Sequence, residues 1–231
     1  TGLRNPTVVN CSWGHRQFIR KDLNYNASFR GTTYSRTQVN AASNAVPAVY
    51  YISTLIGLYY EFTSRKTTGQ TEADELVNDA DCQNVVLICS AGNANGKQEI
   101  KDGTDYGNQF TSGTFYYSSG YDAYYNRSGT PAITREGEDD AVIKVASIDS
   151  SRQSGSQERT SDFSDRGPNI DIWAAGSTIL SPWSSGYQDP RNNSFYNNYI
   201  NGTSMATPNV SAVVAQHLES NPTATRKSVR K

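Results

Sequence analysis

Four short apolar segments constrain the fold of this chain more than any other feature. They read TVVNCS (7–12), VVLICS (85–90), AVIKVAS (141–147) and IDIWA (170–174). Each is rich in β-branched residues and lacks the alternation of apolar and polar side chains that marks a strand with one solvated face. Runs of this kind are typical of strands covered on both faces, as in parallel sheets. The sequence therefore predicts a layered α/β domain with a mostly parallel central sheet flanked by helices.

The stretch between the first two predicted strands has helical spacing. Apolar residues recur at i, i+3, i+4 and i+7 in two sets: Ile52, Leu55, Ile56, Tyr59 and Tyr60, then Ala73, Leu76, Val77 and Ala80. A strand, a helix and a second strand in this order predict a parallel crossover. Since the first strand begins at Thr7, we expect the sheet to be incomplete at its N-terminal side. The chain starts at Thr1 and its only methionine is Met205, so we expect a piece of a longer polypeptide.

Length and composition narrow the domain organisation and the partners. A chain of 231 residues can bury the core of one domain, so we expect one domain over 1–231. Residues 97–140 are rich in Gly, Ser and Tyr and far exceed the usual connection of about 4–6 residues. We interpret them as a long irregular insertion. The net charge is −1 and 19% of residues are charged, so we expect no nucleic-acid partner. The sequence contains no apolar run long enough to span a membrane, so we also expect no membrane partner.

The three cysteines give no disulfide framework. Cys11, Cys82 and Cys89 are odd in number, so at least one thiol stays free within this chain. Because Cys11 and Cys89 end predicted core strands, we interpret them as buried, inert thiols rather than as a disulfide.

Ser204 stands where a helix begins. In YINGTSMATPNVSAVVAQHLESN (199–221), one face repeats at helical spacing through Val210, Val213, Val214, His217 and Leu218. Free N–H groups and the positive end of the helix dipole would favour an oxyanion formed by attack of Ser204 on a carbonyl. The local pattern also fits a simple helix cap made by Thr203 or Ser204.

Three segments decide between these interpretations. Each resembles a segment of the subtilisin-like serine proteases, the subtilases, and along the chain they follow one another in the order that the family has. NGTSMATP (201–208) resembles the segment with the nucleophile, CSAGNANG (89–96) the oxyanion segment, and NCSWGH (10–15) a strand that lines the substrate cleft. The resemblance extends from about residue 7 to the end of the chain. It departs from the family at 97–140, at Ala175 in place of the common Pro, and at Asn209 in place of the frequent His.

The resemblance assigns the candidate site residue by residue. Ser204 is the expected nucleophile, and the neutral amide of Asn93 is the expected oxyanion donor. The backbone of the cleft strand would bind an extended peptide by strand addition. The expected substrate-binding residues are Ser12, Trp13, Gly14, Ala91 and Gly92.

The base that must accept the Ser204 proton is missing from this sequence. In the family, a His oriented by an Asp takes that proton, and both precede the region where this chain starts. His217 follows Ser204 by thirteen residues, which is roughly 20 Å along one helix, and we interpret it as a packed structural histidine on the apolar face. His15 would be an unusual replacement, since the family places its base on a different, upstream helix.

We therefore expect part of a subtilase catalytic domain, inactive as residues 1–231 alone. It would act as a serine endopeptidase on polypeptide substrates once an upstream fragment of the same polypeptide supplies Asp and His. The alternative is a non-catalytic structural or peptide-binding module in a larger assembly. An α/β-hydrolase is disfavoured because GTSMA is not the Gly-x-Ser-x-Gly elbow.

The resemblance also bears on cofactors and location. No cofactor is required, and calcium is the metal that the family often binds. Calcium is therefore possible, and the candidate ligands are acidic residues in and near 97–140, although their spacing is scattered: Asp102, Asp105, Glu136, Glu138, Asp139 and Asp140. A secreted location, or one in an extracellular or virion assembly, is favoured over the cytoplasm.

Overall fold

The computed structural model describes residues 5–12, 26–35, 37–38, 63–64, 82–93, 95–100, 103–111, 123–124, 142–154 and 157–230. The strands are β1 (Thr7–Cys11), β2 (Asn26–Phe29), β3 (Thr32–Ser35), β4 (Thr63–Ser64), β5 (Val85–Ser90), β6 (Gln109–Thr111), β7 (Ala123–Tyr124), β8 (Val142–Ser154), β9 (Gln157–Thr160), β10 (Ile172–Ala175), β11 (Ile179–Trp183), β12 (Tyr187–Asp189) and β13 (Asn192–Ile200). The helices are α1 (Thr203–Ser220) and α2 (Arg226–Val229). The helices predicted within residues 52–80 lie outside the described residues.

The central sheet confirms the four predicted strands. Its order is β1-β5-β8-β10, every neighbouring pair is parallel, and β9 adds an antiparallel strand to the far part of β8. The interior strands are buried on both faces, as their apolar runs predict: Val86 and Val145 have no accessible surface, and Leu87 has 4%. The layered α/β fold predicted from the sequence is thus confirmed.

Helix α1 covers one face of this sheet. One core cluster joins the two layers and consists of Val86, Ile88, Ile143, Val145, Ala206, Val210, Val214 and Leu218. The opposite face of the sheet carries a smaller cluster of Leu87, Cys89 and Val142, with Val9 and Cys11 packed against it. Successive residues of a strand point to opposite faces, so strands β5 and β8 supply side chains to both clusters.

The predicted apolar face of α1 is wrong at two positions. Val213 is 66% exposed and His217 is exposed, so His217 is not a packed core residue. The buried row advances by four residues from Ala206 to Leu218. Each such step turns about 40° beyond a full circle at about 100° per residue. The buried row therefore winds by about 120° around the helix between Ala206 and Leu218, and His217, which lies off this row, is exposed.

Two antiparallel sheets that the sequence did not predict accompany the parallel one. The first has the order β11-β13-β12 and leads directly into Ser204, because β13 ends at Ile200. Its exposed face carries Leu180, Tyr187, Phe195 and Tyr199, and the Tyr187 and Tyr199 rings meet edge to face at 6.3 Å. The second sheet has the order β3-β2-β6-β7-β4. Two of its strands, β6 and β7, lie within residues 97–140, the region expected to be irregular.

A buried carboxylate joins the second antiparallel sheet to the chain after β5. Asp105 is 1% exposed and receives two hydrogen bonds from Arg30, at 2.7 and 3.0 Å, and one from Lys97 at 2.6 Å. These partners, the Arg30 guanidinium foremost, hold the pKa of the Asp105 carboxyl well below its usual range. Asp105 thus forms ion pairs that link Arg30 to Lys97, and a role in calcium binding stays a prediction.

Asp105→Asn is expected to lower the free energy of unfolding by about 1–3 kcal/mol at neutral pH. Arg30 is 45% exposed, so solvent screens part of its contribution. A carboxyl whose folded pKa is lowered stabilises the fold fully above its unfolded pKa of about 4 and loses that effect as the pH falls further. The difference between the variant and the wild type should therefore narrow below about pH 4. Urea unfolding across this pH range checks it, with exposed Glu219→Gln as the control. An unchanged difference at acid pH would contradict the assignment.

Within the described ranges, no helix combines the length and apolarity needed to cross a bilayer.

Candidate active site

Helix α1 begins directly after Gly202 and places Ser204 in its first turn. Gly202 is the N-cap residue, with φ 157° and ψ 153°, a backbone conformation that is nearly restricted to glycine. The alternative in which Thr203 or Ser204 caps the helix is therefore wrong. The first N–H groups of a helix have no intrahelical acceptor, and no acidic side chain stands in the first turn of α1 to offset the helix dipole. The surroundings of the Ser204 N–H thus favour a negative charge.

Asn93 lies in the turn after β5, where Thr203 fixes its amide. Asn93 Oδ1 accepts hydrogen bonds from Thr203 N–H at 2.8 Å and from Thr203 Oγ1 at 2.9 Å. These two bonds use the oxygen of the amide and leave its Nδ2 side as a donor. A methyl group added to Gly202 would lie 3.3 Å from Met205 Sδ, 3.6 Å from Asn93 Nδ2 and 3.6 Å from Ser204 N. Two N–H donors therefore flank one small space beside Ser204, which the absence of a side chain on Gly202 keeps open.

Ser12 and Ser204 form two reciprocal hydrogen bonds across 192 positions of sequence. Ser12 Oγ donates to Ser204 O at 3.0 Å, and Ser204 Oγ donates to Ser12 O at 2.9 Å. The Ser204 carbonyl can accept the first bond because Pro208, four residues later within α1, has no N–H to offer it. The second bond holds the Ser204 hydroxyl on a backbone carbonyl, which is not a base. Ser12 thus fixes Ser204 from the end of β1.

The other predicted substrate-binding residues have different outcomes. Ala91 N–H donates to Val145 O at 2.9 Å, and Gly92 N–H donates to Thr203 Oγ1 at 3.3 Å. Both N–H groups are therefore used inside the domain, and the role of Ala91 and Gly92 in substrate binding stays a prediction. Three residues of the first segment lie outside the described residues: Trp13, Gly14 and His15.

In the part of the chain that the structure describes, His217 is the one histidine, and it stands in the last turn of α1. Its distance of roughly 20 Å along the helix axis rules it out as the proton acceptor for Ser204.

Three titratable side chains form a row across the sheet on the face opposite α1. Cys11 is in register with Cys89, and Cys89 with Lys144. A hydrogen bond from Cys89 lowers the pKa of Cys11 to about 7, whereas that bond and burial raise the pKa of Cys89 well above its usual range. Burial lowers the pKa of Lys144 to about 8. Cys89 is a buried thiol as predicted, whereas Cys11 is half-buried and directly precedes Ser12.

Two positions at which the sequence departs from the subtilase pattern contact each other. Asn209 Nδ2 donates to Ala175 O at 3.0 Å and to Met205 O at 3.2 Å. The Asn209 side chain therefore joins the end of β10 to the first turns of α1, close to Ser204.

Acidic side chains do not assemble a metal site in the described ranges, where no three His, Cys, Asp or Glu residues gather. Asp105 is held by Arg30 and Lys97. The other acidic candidates for calcium binding lie outside the described residues: Asp102, Glu136, Glu138, Asp139 and Asp140.

Solved structures similar to this chain are proteases of the subtilisin type. One is a cold-adapted subtilisin-like serine proteinase, with 22% identity, a TM-score of 0.36, and 66% of this chain and 40% of that chain covered. Another is fervidolysin from Fervidobacterium pennivorans, a keratinolytic enzyme related to subtilisin, with 24% identity, a TM-score of 0.46, and coverage of 74% and 21%. A third is sphericase, with 22% identity, a TM-score of 0.43, and coverage of 73% and 44%.

This chain spans less than half the length of each of these three structures. The assignment to a family rests instead on a sequence model of the subtilases, which matches residues 4–231. The motifs at Ser204 and Asn93 lie within that match. Because the match covers nearly the whole chain, this protein belongs to the subtilase family of serine proteases.

Proposed function

We propose that this chain supplies the nucleophile and the oxyanion hole of a serine endopeptidase. The observation that carries the proposal is that Asn93 Nδ2 and Ser204 N both lie 3.6 Å from one point beside Gly202, where a side chain is absent. Two N–H donors in that arrangement match the negative charge that develops on a carbonyl oxygen during acyl transfer. Membership of the subtilase family makes polypeptides the expected substrates.

The reaction needs a base that the described residues do not provide. Ser204 Oγ would attack the peptide carbonyl and form a C–O bond, while its proton passes to a histidine oriented by an aspartate. The carbonyl electrons would move to the oxygen held by Asn93 Nδ2 and Ser204 N–H. The histidine would then give this proton to the amine, and the peptide C–N bond would break. The first product leaves, and water hydrolyses the remaining acyl-enzyme. We propose that an upstream segment of the same polypeptide provides the histidine and the aspartate.

A second candidate is a non-catalytic module that binds peptides or serves a structural role in a larger assembly. It is favoured by one observation: the Ser204 hydroxyl donates to the Ser12 carbonyl at 2.9 Å instead of to a base. In the endopeptidase, the Ser204 hydroxyl would have to donate its hydrogen bond to the histidine instead of to the Ser12 carbonyl. The two candidates therefore differ in whether Ser204 is activated in the isolated protein.

Fluorophosphonate labelling of the protein as isolated separates the two candidates. The reagent forms a Ser–O–P bond with loss of fluoride and requires an activated serine. We expect one label, mapped to Ser204 by peptide mass spectrometry, and a companion segment with His and Asp in the intact masses. A heat-denatured sample is the control for non-specific labelling. An unlabelled native protein without a companion segment would overturn the endopeptidase proposal in favour of the non-catalytic module. An extracellular or virion source of the isolated protein would agree with the proposed location.

A further inference from the structure

The turn that carries Asn93 is clamped by a second loop, which leads from β9 to β10. The described residues of segment 92–98, which are 92–93 and 95–98, run beside 163–166. Four backbone hydrogen bonds join them: Asp165 N–H to Gly92 O at 3.0 Å, Asn95 N–H to Phe163 O at 2.8 Å, Arg166 N–H to Gly96 O at 2.9 Å and Gln98 N–H to Arg166 O at 2.7 Å. Asn93 therefore sits on a turn whose shape depends on a segment about 70 residues later in the chain.

The side chain of Asp165 fills the space beneath this turn. Asp165 is 6% exposed; its Oδ1 accepts from Gly96 N–H at 2.8 Å and its Oδ2 accepts from Gln98 Nε2 at 2.8 Å. The carboxylate also lies against Gly92, where an added Cβ would come within 2.5 Å of Asp165 Oδ2. Gly92 has φ 117°, a conformation that side chains rarely adopt. The Asp165 carboxylate thus occupies the space that a side chain on Gly92 would need and lies against Gly96, and these two glycines lie on either side of Asn93 in the sequence.

A charged group at this place holds the turn more firmly than a neutral one. Hydrogen bonds to a carboxylate are roughly twice as strong as those between neutral groups. Burial of a carboxylate is costly unless its oxygens are bonded, and here each of the two accepts a donor from the turn. The Asp165 carboxylate therefore loses stabilising bonds whenever the turn opens, which makes the closed shape the preferred one.

We propose that Asp165 is a positioning residue, which holds segment 92–98 so that the Asn93 amide faces the oxyanion site beside Ser204. The inference rests on the proposed function, since Asn93 acts as an oxyanion donor only in a catalytic site. The Asp165 carboxylate contacts Gly92, Gly96 and Gln98. Its effect on the reaction passes through Gly92 and Gly96 to Asn93.

The side chain of Gln98 would allow asparagine to replace Asp165 with the hydrogen bonds to the turn retained. Gln98 is 4% exposed, and within the described residues its Oε1 is a buried atom without a hydrogen-bond partner. In Asp165→Asn, the new Oδ1 can still accept from Gly96 N–H. Rotation of the Gln98 amide would let its Oε1 accept from the new Nδ2. The asparagine variant can therefore keep the clamp, whereas Asp165→Ala cannot.

The test is a double-mutant cycle between Asp165→Ala and Asn93→Ala, measured in the protein together with its upstream segment. We expect Asp165→Ala to lower kcat by about 10–100-fold with KM changed by less than about threefold, and to cost less than about threefold more once Asn93 is already alanine. Asp165→Asn should recover kcat to within about threefold. Exposed Glu158→Ala, on the neighbouring strand β9, is the matched control. Equal losses in both Asn93 backgrounds, or no rescue by asparagine, would show a merely structural role and overturn the proposal.

Failure of the proposed function gives a different result from failure of this inference. If the wild-type protein neither hydrolyses peptides nor reacts with fluorophosphonate, the proposed function fails, and hydrogen exchange then decides the role of Asp165. In that case we expect Asp165→Ala to speed amide exchange in 92–98 by about tenfold or more, with exchange in α1 unchanged. Unchanged exchange in 92–98 would overturn the positioning role.

Discussion

Ser204→Ala is expected to abolish fluorophosphonate labelling and to lower kcat for peptide hydrolysis by about 10⁶-fold, a magnitude measured in subtilisin, a member of the same family. Alanine leaves no oxygen to form the acyl-enzyme, and the hydroxyl of Ser12 is already engaged on the carbonyl of residue 204. Residual turnover would come from the oxyanion hole and substrate binding alone. Steady-state kinetics on a fluorogenic peptide, with the upstream segment present, measure the effect.

The matched control for this variant is Ser220→Ala, at the exposed C-terminal end of the same helix. It should leave labelling and kcat unchanged. The fold should survive Ser204→Ala, because the variant removes one hydrogen bond to Ser12 O, worth about 1 kcal/mol. Hydrolysis that stays within tenfold of wild type in well-folded Ser204→Ala would assign the reaction to another residue.

Asn93→Asp is expected to lower kcat by about 10²–10³-fold or more, while it leaves KM and the melting temperature nearly unchanged; this range is the loss seen when subtilisin loses its corresponding donor. Aspartate keeps an oxygen to accept both bonds from Thr203. It replaces the Nδ2 donor by a negative oxygen, which repels the developing oxyanion. The combination of lost turnover and retained stability is what separates a catalytic donor from a structural asparagine.

Asn93→Ala provides the comparison. It removes the same donor but also leaves Thr203 N–H and Thr203 Oγ1 without their acceptor, so we expect a similar fall in kcat together with a loss of about 1–3 kcal/mol in the free energy of unfolding. Thermal melts and steady-state kinetics on both variants separate the two effects. Wild-type kcat in Asn93→Asp would remove Asn93 from the oxyanion hole.

Patterns that are local in sequence predicted much of the fold. The segments at 7–12, 85–90, 141–147 and 170–174 could be predicted as parallel strands because continuous burial selects β-branched and apolar residues directly. The start of α1 could be placed near Ser204 because the apolar period of a helix begins there. The antiparallel sheet before Ser204 was missed, since in β13 polar and aromatic residues mix without a buried face: Asn192–Ile200 has mostly exposed or half-buried residues.

Sequence by itself thus determined the strands of the parallel sheet, the place of Ser204 at a helix start and, through the resemblance of its motifs, the family. Only the tertiary structure decided which residues of α1 face the sheet, because the buried row advances by four residues from Ala206 to Leu218 and leaves His217 exposed. It also decided that Ser12 and Pro208 together hold Ser204, and that Asp165 lies beneath Gly92. These contacts join residues that are distant in sequence, and no local period or spacing encodes which distant group will meet a given carbonyl or turn.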